Sequence, residues 1–145
     1  MIFLDNNSTT PVDRRVQKIM NNTLSNNYGN PHSAFHKVGA NASKAVASAR
    51  QKVADYFSVE IDGVIFNSGA TEANNQLIIG AALRAKSLSS KRRKIFFSAV
   101  EHKCILNAVE FTKTLGFSPQ EIPVNRKGQV DLNFLRENLD DKTLL

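Results

Sequence analysis

Four short polar stretches hold the side chains able to do chemistry. In "FNSGATEANN", Phe66 to Asn75, an apolar run meets small residues and a hydroxyl just before a helical pattern. Gly69 and Ala70 let the backbone turn closely, and Thr71 offers its hydroxyl at the start of the next helix. Free amide N–H groups and the positive end of the helix dipole at such a junction hold an anion. Plain capping explains the same residues, with Glu72 favouring the first turn in either case. The stretch has neither the Gly-x-Gly-x-x-Gly spacing of a dinucleotide site nor the Gly-Lys-Thr of a nucleotide phosphate loop, so a single phosphate is the better-fitting anion.

In "SAVEHKCIL", Ser98 to Leu106, His102 lies just past an apolar run that reads as a strand. The carboxyl ends of strands are where α/β sheets bind ligands. An imidazole there stacks on a planar ring or exchanges protons; the plainer reading is a surface histidine capping a turn. Cys104 reads as a small buried filler rather than an activated nucleophile. "YGNPHSAFH", Tyr28 to His36, has a Gly-Asn-Pro turn signature, with Asn30, His32 and Ser33 as loop groups or ligand contacts. "LDNNSTTP", Leu4 to Pro11, brings Thr10 and neighbouring amides to a loop or cap.

The elements that must position these residues alternate. Ile2 to Leu4 is expected as a short strand, followed by a helix after Pro11 through Val16 and Ile19 to about Leu24. Val38, Ala42, Ala45, Ala49, Val53 and Tyr56 recur at steps of three and four, an amphipathic helix over 36–57. Gly63 to Phe66 reads as a strand, Thr71 to Lys86 as a helix and Lys94 to Ala99 as a strand. Ile105, Ala108, Val109, Thr112 and Leu115 form one helical face. Phe117 to Ile122 reads as a short strand despite Pro119, and Asp131 as the N-cap of a helix through Leu135 and Leu139. Such alternation predicts an α/β domain with a mainly parallel sheet. "DDKTLL" at 140–145 sits where another buried strand is due, so the expectation is part of a larger, truncated domain.

The 145 residues suit one domain, with 41% hydrophobic and 22% charged residues. No apolar run nears the roughly 20 residues of a membrane span, and no secretory signal is visible, so no membrane partner is expected and the cytoplasm is the expected compartment. One cysteine and three histidines argue against a structural zinc site, and no metal is expected. The net charge of +6 raises the question of nucleic acid. Its one cluster, Lys91 to Lys94, lacks interleaved aromatics and reads as a solvated connection, so no nucleic-acid partner is expected.

In combination and order, "LDNNSTTPVD", "GNPHSAFHKVG", "NSGATEANN" and "EHKCIL" resemble the N-terminal part of cysteine desulfurases, in the class V branch of the pyridoxal-phosphate aminotransferases. The likeness runs from Ile2 to the C-terminus through "RKGQVDLNFL", and "GNPHS" and "EHKCIL" are closest to the iron–sulfur-assembly enzymes. The resemblance implies the N-terminal portion of a fold type I large domain, with an N-terminal segment at 1–15 and a partial cofactor-binding domain at 16–145. It puts Ala70 and Thr71 on the phosphate of pyridoxal 5'-phosphate and stacks His102 on its pyridine ring, where the imidazole also helps proton movements. Asn30, His32 and Thr10 fall near the substrate or dimer region. The implied whole enzyme is a homodimer that takes sulfur from L-cysteine, leaving L-alanine and a persulfide for an iron–sulfur scaffold protein or tRNA thiolation. Its Schiff-base lysine, the aspartate for the pyridine nitrogen and its sulfur-accepting cysteine loop lie beyond position 145. Lys103 and Cys104 match neither. This chain alone is therefore expected to be inactive. A non-catalytic truncated or partner-binding remnant of a class V enzyme is the alternative, and selenocysteine lyase is not separated from desulfurase.

Overall fold

The computed structural model describes residues 2–33 and 35–145. The chain forms two compact units, Met1–Ile65 and Phe66–Leu145. In the first, α1 spans Arg14–Asn26 and α2 spans Lys37–Phe57. Asp13 starts α1 by accepting the Arg15 N–H at 2.8 Å. His36 starts α2: its Nδ1 accepts the Gly39 N–H at 3.0 Å. A Cβ on Gly39 would stand 2.0 Å from the Ser33 carbonyl oxygen, so only glycine lets the 29–33 turn press against the first turn of α2. The sequence pattern located this helix and Ala42 on its buried face but missed Gly39 and Ala54, and Tyr56 from the expected face is exposed.

Two expected strands are absent. Ile2 to Leu4 is exposed and forms no ladder, because no described segment pairs with it. Gly63 to Phe66 gives way to a 3-10 turn at Ile61–Gly63 followed by chain that lies in no helix or strand. The Val64 carbonyl that a ladder would use is taken instead by the Arg50 guanidinium.

The second unit is an α/β layer. It runs α3 (Ala70–Ser87), β1 (Lys94–Ser98), α4 (Lys103–Thr114), β2 (Ser118–Ile122) and α5 (Leu132–Asn138). β1 and β2 pair in parallel, Lys94 opposite Ser118 through Ser98 opposite Ile122. Residues 142–145 add to the other edge of β1: Leu144 N–H donates to Lys94 O at 2.8 Å, and Phe96 N–H donates to Leu145 O at 2.9 Å. The buried strand expected at "DDKTLL" is present as a parallel bridge, Thr143 opposite Lys94, with no residue of 141–145 buried, so β1 has a parallel partner on each edge.

The core gathers Ile78, Ala82 and Ala85 of α3, Ile95 of β1, Ala108 and Val109 of α4, and Phe117. Alanines on facing positions bring α3 and α4 close. Ile95 at their centre is 1% exposed, a burial that stabilises by roughly 1.5–3 kcal/mol. α4 stops at Gly116, whose φ of 87° suits glycine, and Phe117 N–H donates back to Thr112 O at 3.2 Å. Asp131 caps α5 as expected, accepting from Asn133 and Phe134 N–H.

Candidate functional site

The junction before α3 is built around Gly69. Its φ of 151° and ψ of −175° lie in a region that side-chain-bearing residues scarcely enter, and it occupies the N-cap without giving a side-chain hydrogen bond. The turn is closed from both sides. Gly69 N–H donates to Asn67 Oδ1 at 3.0 Å, and Ser68 donates both its N–H (2.7 Å) and its hydroxyl (2.6 Å) to Glu72 Oε2. These bonds, the Ser68 hydroxyl foremost, hold the Glu72 carboxyl below its ordinary range, so it is ionised at neutral pH.

The first intrahelical bond is Ala73 N–H to Gly69 O at 3.1 Å. The N–H groups of Ala70, Thr71 and Glu72 precede it and are left over for an outside acceptor. Ala70 and Thr71 are exposed, and Thr71 brings a side-chain hydroxyl to the same first turn of α3. Such a set of donors can take the oxygens of one tetrahedral anion.

His102 is the N-cap of α4, exposed, with Nδ1 accepting the Cys104 N–H at 3.2 Å. It is thus both the capping histidine of the plainer reading and an imidazole open on its other edge. Cys104 is half-buried as a filler would be, yet its sulfur is engaged: Asn74 Nδ2 lies 3.2 Å from it and His102 Nδ1 3.1 Å. α3 carries Ala70, Thr71 and Asn74, so this contact ties the anion cradle to the element bearing His102. Neither Asn74 nor the Ser68–Glu72 closure was read from the sequence. Serine four residues before glutamate hinted at the second; nothing in a one-dimensional pattern pairs position 74 with 104.

Thr10, Asn30 and His32 belong to the first unit. Thr10 is exposed beyond a turn in which Ser8 hydrogen-bonds Asp5. Asn30 Oδ1 accepts the His32 N–H at 2.9 Å, so its side chain holds the turn. His32 lines a shallow cavity of about 280 Å³ with Ser43, Arg50 and Ile61.

The class V aminotransferase family matches residues 2–145. Among curated proteins, the chain is 38% identical to the cysteine desulfurase IscS of Rickettsia typhi, over 99% of this chain and 34% of that protein. It is 39% identical to the mitosomal cysteine desulfurase of Trachipleistophora hominis, over 99% and 32%. Among solved structures, a NifS-like protein superposes with a TM-score of 0.86 at 34% identity, covering 96% of this chain and 37% of that one. SspA in complex with cysteine gives 0.83 at 28% identity, covering 97% and 40%. The α/β arrangement is thus that of a fold type I pyridoxal-phosphate transferase, and the chain spans about a third of the length of the curated relatives it matches. This chain belongs to the class V aminotransferase family.

Proposed function

We propose that the chain is the phosphate-end half of the cofactor site of a cysteine desulfurase. The observation that carries this is the set of uncommitted N–H groups at 70–72 beside the Thr71 hydroxyl, tied through one side-chain contact to the element bearing His102. The donor set fits pyridoxal 5'-phosphate: a cradle for one phosphate, with an exposed imidazole for a planar ring. Ala70 and Thr71 hold the phosphate, and His102 lies against the ring and moves protons there. When bound, pyridoxal phosphate supplies the electron sink for breaking a bond at an amino acid's carbon skeleton. The ionised Glu72, pinned by Ser68, keeps the turn closed so that the amides stay aimed outward.

L-cysteine as substrate is supported by the desulfurase relatives and by the solved complex of SspA with cysteine. In that reaction the carbon–sulfur bond of cysteine and the S–H bond of the acceptor thiol break, a sulfur–sulfur bond forms on the acceptor and a proton is added to the carbon left behind, giving L-alanine and an enzyme persulfide with no outside oxidant. The anchoring lysine and the acceptor cysteine lie outside the matching segments of this chain, so turnover requires groups that these 145 residues do not supply. A homodimer, an iron–sulfur scaffold partner, roles for Thr10, Asn30 and His32, the division at 1–15 and 16–145, and a cytoplasmic setting belong to the same reading. No helix among the described residues is long and apolar enough to cross a membrane.

Titration of the full chain with pyridoxal phosphate and with pyridoxal tests this reading. Saturable binding of the first, weakened at least tenfold without the phosphate, is expected. Equal affinity for both would overturn the phosphate cradle.

A further inference from the structure

Asn74 stands three residues after Thr71, on the same face of α3 one turn on, and Cys104 is the second residue of α4. Their side chains meet between the helices. Asn74 Nδ2 can only donate, so Cys104 Sγ accepts from it at 3.2 Å. The Cys104 backbone N–H can likewise only donate, so His102 Nδ1 presents its lone pair at 3.2 Å. With Nδ1 an acceptor and 3.1 Å from Sγ, that contact is favourable only with the thiol hydrogen turned towards it. The backbone donor makes the assignment and the thiol is consistent with it: the neutral ring carries its proton on Nε2.

We propose that Asn74 and Cys104 are positioning residues that fix the His102 imidazole as its Nε2–H tautomer and set its orientation from α3, the helix that also carries the phosphate cradle. The purpose of this brace rests on the cofactor reading above; its geometry does not. Without it the ring is held, among the described residues, by the α4 backbone alone. With it, the ring takes its alignment from the element three residues past Thr71.

The test uses the full chain with nitrogen-15 histidine, reading the ring nitrogens at a pH where the imidazoles are neutral. The His102 signals are identified by their loss in His102→Gln. Wild type is expected to show a single Nε2–H form. In Asn74→Ala and Cys104→Ala the Cys104 backbone N–H still faces Nδ1, so the Nδ1–H fraction should rise several-fold while staying below that of a free imidazole, and Cys104→Ser, which keeps a donor, should restore the wild-type pattern. If Asn74→Ala fails to fold, the isosteric Asn74→Asp serves: its oxygen attracts the thiol hydrogen away from Nδ1, with the same spectral change expected. Unchanged His102 signals in folded variants would overturn the brace. Pyridoxal phosphate added to the same samples separates the two claims. Absent binding with the tautomer pattern intact supports the brace and counts against the cofactor reading.

Discussion

The Thr71 hydroxyl stands at a helix end whose first three N–H groups have no partner within the helix, and Gly69 before it adopts a conformation of glycine alone. A hydrogen bond to a charged phosphate contributes about 1.5–3 kcal/mol, roughly tenfold or more in affinity. Thr71→Val keeps the shape of the side chain and removes the donor. Its affinity for pyridoxal phosphate should fall about tenfold while pyridoxal binding stays unchanged, as dye-free absorbance titration would record; an unaltered phosphate-dependent affinity would place the anion elsewhere. This much was legible because turn chemistry is local: Gly69, Ala70 and Thr71 declare themselves within three positions. His102 was legible by its place after a strand. Asn74 was not, since its partner lies thirty residues away and only packed helices bring them together.

Elements formed where the sequence carried its own start and stop signals. Asp13, His36 and Asp131 cap their helices, and Gly116 ends α4. Strands were harder, because an apolar run becomes one only when a partner edge exists. Lys94 to Ser98 has two such edges and Ile2 to Leu4 has none among the described residues. Pro119 is tolerated in β2 because Ser118 N–H already points to Arg93 O, so the next residue's nitrogen faces away from β1. The third segment is pinned by Lys94, whose Nζ lies 2.7 Å from Asp140 Oδ2. That bond, foremost among several causes, holds the Asp140 carboxyl below its ordinary range. A depressed carboxyl stabilises the fold above its unfolded value and loses that contribution as pH falls through its folded value. Protection of the Leu144 and Phe96 amides, corrected for intrinsic exchange, should therefore drop in acid below the usual carboxylate range. Asp140→Asn should lack that step; an identical acid profile in the variant would contradict the role of the pair.

On the scale of the whole molecule, a net charge of +6 offers any anionic ligand a second explanation for binding. Part of the basic cluster is already engaged within its own unit: the Arg93 guanidinium lies over the Phe117 ring at 5.1 Å, and Lys94 is paired with Asp140. The family was readable because four motifs keep their order across the chain, which no single motif establishes. The division into two compact units was not, since neither composition nor a linker marks the change near Ile65. The most direct measurement is a residue-by-residue amide map of the full chain as pyridoxal phosphate is added, with pyridoxal as the control. Phosphate-dependent shifts centred on Ala70, Thr71 and Glu72, accompanied by the His102 ring, are the predicted result. Shifts centred on Lys91 to Lys94, or equal shifts with pyridoxal, would contradict it.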